Sequence, residues 1–400
     1  MSLKVTIRRT SPQAPENFDQ LFARKSKALF GQGEALRLSA RGENRILELN
    51  NAWREVCETA QIDDQVLLAG VGLTAFATIT FSEASSFESV LIVPRRLVII
   101  SEDQGFEVLV AAEGSESEET TVLPGEFGSG SRSAERFKLG VEQAVAKISE
   151  HELEKVVLSR ELVMLVPGKP DLRPALSRLR SRYPDCWTYQ VDSVFGASPE
   201  LLLRADRGEV SARVLAGTAG RGTDPDVDRA ISSSLTHSHK NIHEHQFAVS
   251  SMLEELSPFC DWVEADSEPF SLALPDLWHL ATDVRGKLKP GVTLLDVVAK
   301  LHPTAAVAGT PRDKAMALIS EIEQHDRGGY AGPVGWLAQD GSGELAIALR
   351  GGVVEGSGDE YRVRALAGCG IVAESEPEAE LAETELKFRA VRYAFEGESK

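Results

Sequence analysis

AGCGIVAESEPEAELAETELK, residues 367–387, reads as a glycine-rich turn that delivers the chain into a helix. Ser375 is a candidate cap, Pro377 falls just inside, and acidic residues fill the first turns. Glu376, Glu380, Glu383 and Lys387 then recur at i, i+4, i+7 and i+11, which puts all four on one helix face. Carboxylates and an ammonium aimed one way, beside exposed backbone N–H groups, suit a divalent cation carrying an anionic ligand. The same spacing also fits a solvated face of i, i+4 ion pairs, so the choice rests on what lies upstream.

Working back from that helix, Leu345–Val354 and Tyr361–Leu366 read as a hairpin around Glu355-Gly356-Ser357-Gly358. Further strands are predicted at 66–69, 76–81, 90–93, 97–100, 155–166, 188–195, 201–205 and 210–215. Helices are predicted near 43–59, over 134–149, and from Asp224-Pro225 toward Leu256. The stretch 113–132, rich in Gly, Ser and Glu, reads as a mobile surface loop. Strands outnumber what a parallel doubly wound sheet needs, and the hairpins require antiparallel pairing. The expected class is α+β, with large, mostly antiparallel sheets and helices packed outside them.

Composition narrows the function classes. The 400 residues are 42% hydrophobic and 26% charged, as in an ordinary globular protein. No apolar run approaches the roughly 20 residues of a bilayer span, and Met1-Ser2-Leu3-Lys4-Val5 lacks the apolar core of a secretory signal. Cys57, Cys186, Cys260 and Cys369 are scattered without a CxxC pair, as expected of reduced thiols in a cytoplasmic protein. A net charge of −18 argues against binding a nucleic-acid backbone through bulk electrostatics, and neither nucleic acid nor membrane is an expected partner. An acidic protein that binds a small anion must reverse its local field with Lys, Arg, backbone N–H groups or a metal, and carboxylate ligands point to Mg²⁺.

Several side chains are candidates for chemistry. Lys155 opens an apolar strand, where it either snorkels at an edge or sits in a cleft whose desolvation would make its amine a base. Glu200 follows the turn Gly196-Ala197-Ser198-Pro199 and precedes Leu201-Leu202-Leu203, so burial would raise its pKa toward that of a general acid. Arg350, at a strand end before Gly351-Gly352, suits bidentate capture of a carboxylate or an ordinary ion pair. Glu244 shares a helix face with His237 and Asn241. His239 and His243 have the i, i+4 spacing of two zinc legs, but HExxH is absent and no third ligand is evident. The loops around 302–311 and 326–336 are rich in small residues that let backbone amides approach a ligand, and neither is a phosphate loop.

Taken in order, these segments resemble the chorismate-utilising enzymes, which include isochorismate, salicylate, anthranilate and aminodeoxychorismate synthases. The resemblance rests on KVVLSR (155–160), FGASPELLLR (195–204), LAGTAGRG (215–222), KNIHEH (240–245) and LWHLATDVRG (277–286). It continues through LHPTAAVAGTP (301–311), GGYAGPVGW (328–336), ALRGG (348–352) and the opening stretch, covering about 140–395. It implies one structural domain of the chorismate-binding fold, with a variable part over 1–135 and the catalytic region over 136–396.

The resemblance also implies roles. Members that add water carry lysine at the Lys155 position, whereas amine-adding members usually carry glutamine. Ala216 stands where aminodeoxychorismate synthases tend to have lysine, and no glutaminase segment is fused. The implied activity is isochorismate synthase, for menaquinone or a siderophore, with salicylate synthase as the alternative and anthranilate synthase third. Lys155 would activate water for attack at C2, and Glu200 would protonate the departing C4 hydroxyl. Glu244 and Glu383 match Mg²⁺ ligands, with Glu380 assisting. Arg350, Tyr330, Lys387 and the amides near Gly368 and Ala306-Val307 match substrate-binding positions, and His279 matches a supporting site histidine. Asn241 departs from the pattern, standing where many relatives have a second acidic residue. The expected partner is chorismate alone, with the protein a monomer that needs no glutaminase subunit.

Overall fold

The computed structural model describes residues 2–111, 120, 126–131 and 133–397, apart from the side chains of residues 239–241, 243 and 244. Among the described residues a 13-stranded and a 10-stranded sheet share one main core, to which the first contributes Tyr189 and the second Phe76, both fully buried. Pairing is antiparallel except for Lys4–Thr10 with Gln61–Asp64, so the expected α+β architecture of large antiparallel sheets holds. N-terminal strands enter both sheets: Gln20–Arg24 pairs Trp187–Val191 in the larger, and Thr74–Thr78 pairs Pro333–Ala338 in the smaller. Among the described residues no helix is long and apolar enough to cross a membrane.

The local pattern explains most elements. Ala134–Ser149 forms the expected helix, capped by the Ser133 hydroxyl, which accepts from the Arg136 amide, and it buries Phe137, Val141, Ala144 and Ile148 at helical spacing. Val156, Val157 and Leu158 are all buried because the strand Lys155–Pro167 runs inside the larger sheet against Glu360–Ile371.

Other elements differ from the sequence reading. Residues 66–69 are not a strand: Asp64 turns the chain by accepting from the Val66 and Leu67 amides, and Leu67 adopts a φ of 56° with its side chain exposed. The segment 188–195 is a hairpin, Trp187–Val191 and Val194–Ser198, turning at Asp192 with φ 54°. The long helix from Pro225 breaks at Ser238, whose extended backbone separates Pro225–His237 from His239–Leu256. Of the proposed loop 113–132, most lies outside the described residues, and Gly128–Ser129 pairs as a short strand with Val163 and Leu162. The last helix starts one residue late: Glu376 is the N-cap and Pro377 the first helical residue, while the Ser375 hydroxyl instead accepts from the Val372 amide.

Two breaks matter most. The chain leaves the larger sheet at Ser198 and enters the smaller at Leu201, so Pro199-Glu200 is a crossing point. The expected strand 345–354 is likewise split into Gly343–Ile347 in the smaller sheet and Gly351–Ser357 in the larger. Arg350 makes that crossing with φ 51°. Gly351 follows because a Cβ there would lie 1.8 Å from the Phe195 carbonyl oxygen. Glu200 and Arg350 thus both sit where the chain passes between sheets.

Candidate active site

A cavity of about 260 Å³ opens at this junction. Lys155 reaches it from the first residue of its strand, with Ser159 four residues further along the same strand. Glu200 and Arg350 enter from the crossings, His279 from the strand Leu277–Leu288, and Gly368 from Glu360–Ile371. Glu380, Glu383 and Lys387 line it from the C-terminal helix, and Ala306, Val307 and Tyr330 from the two loops rich in small residues. All the residues that the resemblance assigned to the site converge here except Glu244. That residue lies on the helix His239–Leu256, and its side chain is outside the described residues, as are those of His239 and His243. Glu376 is exposed and does not line the cavity, because it precedes the helix rather than sharing its face. His245 faces the core, where its Nε2 lies 2.7 Å from the Thr282 hydroxyl.

Burial pushes the Glu200 carboxyl up to about 8, against the opposing pull of Lys155, Arg350 and Lys387. At pH 7 it is therefore mostly a neutral acid. Its backbone is pinned on both sides: the amide donates to the Ser198 hydroxyl at 3.2 Å, and the carbonyl accepts from Ile347 at 3.1 Å.

His279 is held neutral. Burial, with the Arg350 and Lys387 charges adding to it, pushes its pKa well below the ordinary value. A guanidinium can only donate, so the 3.0 Å contact from Arg350 Nη2 makes His279 Nε2 the acceptor. The proton then sits on Nδ1, which faces the Gly217 carbonyl at 3.3 Å and the Thr218 hydroxyl at 3.1 Å. This chain of contacts aims Arg350. Tyr330 is buried, which pushes its hydroxyl up to about 12 and keeps it a neutral hydrogen-bonding group.

Arg327 is a cavity residue that the sequence reading missed. Its guanidinium makes two contacts to buried Glu323, at 2.9 and 2.5 Å, and lies over the Phe81 ring at 4.1 Å. It also donates to the Val157 carbonyl at 2.8 Å and the Val307 carbonyl at 3.0 Å. Glu323 in turn accepts from the Ser159 amide at 2.6 Å. One ion pair thereby ties the strand carrying Lys155 to the loop carrying Ala306-Val307. A Glu and an Arg four apart in the sequence were the available signal, but the helix ends at Glu323 and Arg327 comes from the loop beyond it, where burial makes the pair a clamp.

Glu380 and Glu383 supply hard oxygen donors. Burial, with the neighbouring Glu383 charge, raises the Glu380 pKa, a repulsion that a bound cation would relieve. Lys387 Nζ contacts Glu383 at 2.6 Å and donates to the Gly368 carbonyl at 2.7 Å. Among the described residues no three His, Cys, Asp or Glu side chains gather as a ready-made metal cluster. The two carboxylates fit Mg²⁺ as a partial ligand set that needs a donor from outside the helix. With Glu200 neutral, Arg350 and Lys387 place two cationic donors in the cavity for an anionic ligand, beside the Glu380 and Glu383 carboxylates.

Residues 115–396, well over half of the chain, match the family described as chorismate binding enzyme. The chain belongs to that family. It is 36% identical over 262 residues to isochorismate synthase MenF of Bacillus subtilis, a match covering 64% of this chain but only 55% of that relative. It is 30% identical over 401 residues to the salicylate biosynthesis isochorismate synthase of Pseudomonas aeruginosa, covering 92% of this chain and 82% of the relative. Among solved structures it resembles a putative 2,3-dihydroxybenzoate-specific isochorismate synthase, DhbC, from Bacillus anthracis. There the TM-score is 0.77 at 28% identity, over 95% of this chain and 96% of that one.

Proposed function

We propose that this chorismate-binding enzyme is an isochorismate synthase that interconverts chorismate and isochorismate. The observation that carries the reading is that an amine, Lys155, and a carboxyl held neutral up to about pH 8, Glu200, line one cavity. Water addition at one ring carbon with loss of hydroxyl from another needs one group to take a proton and one to give it. Lys155 takes the proton of the water that attacks C2, and Glu200 gives its proton to the C4 hydroxyl as that bond breaks. The proton count balances, and the roles exchange in the return direction.

Arg350, steered by neutral His279, and Lys387 offer cationic donors to the substrate's carboxylates. Glu380 and Glu383, with Glu244 from the helix His239–Leu256, would hold Mg²⁺, which when bound supplies charge neutralisation at the ring carboxylate. Ala216 in the cavity wall leaves no amine there for a covalent adduct. Four free cysteines support a cytoplasmic setting.

The test is incubation of purified protein with chorismate and Mg²⁺ in the absence of ammonia, with products separated and weighed. Isochorismate alone is the expected product. Equimolar salicylate and pyruvate would replace the reading with salicylate synthase, and unchanged chorismate would remove it.

A further inference from the structure

A second, much smaller cavity of about 20 Å³ lies against Glu200. Glu200 and Ala306 line both this cavity and the main one, so they form the partition between them. About 10–15 Å³ of such space suffices for one water, provided polar groups can hold it. Here the polar lining residues are Glu200, Thr304, Ser251 and Glu255. Thr304 is buried to 8% exposure, and its hydroxyl finds no hydrogen-bond partner among the described residues. A buried hydroxyl beside a water-sized polar space is where ordered solvent is expected.

We propose that this cavity holds one ordered water, bonded to the Thr304 hydroxyl and the Glu200 carboxyl, which orients Glu200 and returns its proton between turnovers. The inference rests on the proposed isomerisation. Each forward turnover leaves Glu200 as a carboxylate and Lys155 as an ammonium, so one proton must reach the first and one must leave the second. Lys155 opens toward the main cavity and toward a wider groove beside it, by which its proton departs. The proton for Glu200 passes from the bound water, which recovers one from Glu255. Glu255, whose side chain is 24% exposed and paired with Arg312, recovers its own from solvent. The groups facing Glu200 are Lys155, Arg350 and Lys387, with Glu255 across the small cavity and His279 along the large one. Those cations favour the carboxylate, so a neutral donor behind it sets how readily the proton comes back.

The experiment compares wild type, Thr304→Val, Thr304→Ser and Ser251→Ala in chorismate turnover across roughly pH 6 to 9. Thr304→Val keeps shape and removes the hydroxyl. It is expected to lower kcat about tenfold with KM within about twofold, and to move the alkaline limb up by about one pH unit. Thr304→Ser restores both. If Thr304→Val does not fold, Ser251→Ala carries the same expected direction. A high-resolution crystal structure of the wild type should show the water between Thr304 and Glu200. A dry cavity, or Thr304→Val with unchanged kcat and alkaline limb, overturns the proposal. A wild type that turns over no chorismate defeats the functional reading instead, and the crystallographic water then decides the cavity alone.

Discussion

Glu200→Gln should make the protein more stable while it removes the acid. The folded protein keeps the Glu200 proton up to about pH 8, whereas the unfolded chain releases it near the ordinary 4.5. Between those values the unfolded state binds fewer protons, so wild-type stability falls as pH rises, by about 1.4 kcal/mol per pH unit. The accumulated cost is about 1 kcal/mol at pH 5, ~3 kcal/mol at pH 7 and ~4 kcal/mol at pH 8. Glutamine matches the shape and carries no proton to lose, so the variant escapes this cost. Urea denaturation of both proteins at pH 5, 7 and 8 should therefore show a gap that opens with pH. In chorismate turnover the same variant should lose about 10²- to 10⁴-fold in kcat, the range for a positioned general acid. A stability gap that stays flat with pH would mean that Glu200 is ionised in the folded protein. Turnover within tenfold of wild type would remove it as the acid, and either result refutes the argument.

Three further outcomes follow from the same geometry. Lys155→Ala should abolish isochorismate formation while leaving the fold intact by circular dichroism; product formation that persists, or that depends on ammonia, would disprove the water-base role. Arg327→Met strips buried Glu323 of its partner and frees both tethered carbonyls, so urea denaturation should show a loss of about 3–5 kcal/mol; a loss under ~1 kcal/mol would show that the clamp is not structural. Glu383→Gln removes one hard donor and the partner of Lys387, and should raise the Mg²⁺ concentration for half-maximal activity at least about tenfold; an unchanged requirement would move the metal elsewhere.

What could be read from the chain was whatever depends on neighbours close in sequence. The helix 134–149 is set by its own apolar spacing and by Ser133, and the strand from Lys155 by its own β-branched run. The C-terminal helix could be read from Pro377 and the i, i+3, i+7 spacing of Glu380, Glu383 and Lys387. The approximate lining of the cavity was legible mainly through the resemblance to chorismate-utilising enzymes, on which His279 and Tyr330 were named. The smaller misreadings were local: the apolar residues around Asp192 masked its turn, and the break at Ser238 carries no Gly or Pro to mark it.

Tertiary structure decided the chemical state of those residues. Glu200 becomes an acid at pH 7 only because the chain crosses between sheets there and buries it. His279 becomes a neutral acceptor because Arg350, 71 residues away, donates to its Nε2. Arg327 becomes a clamp because Val157, 170 residues before it, offers a carbonyl within 2.8 Å. Periodicity along a chain determines which face of an element is apolar, but a proton's affinity for its site depends on the dielectric and charges around it, and those are assembled from distant segments.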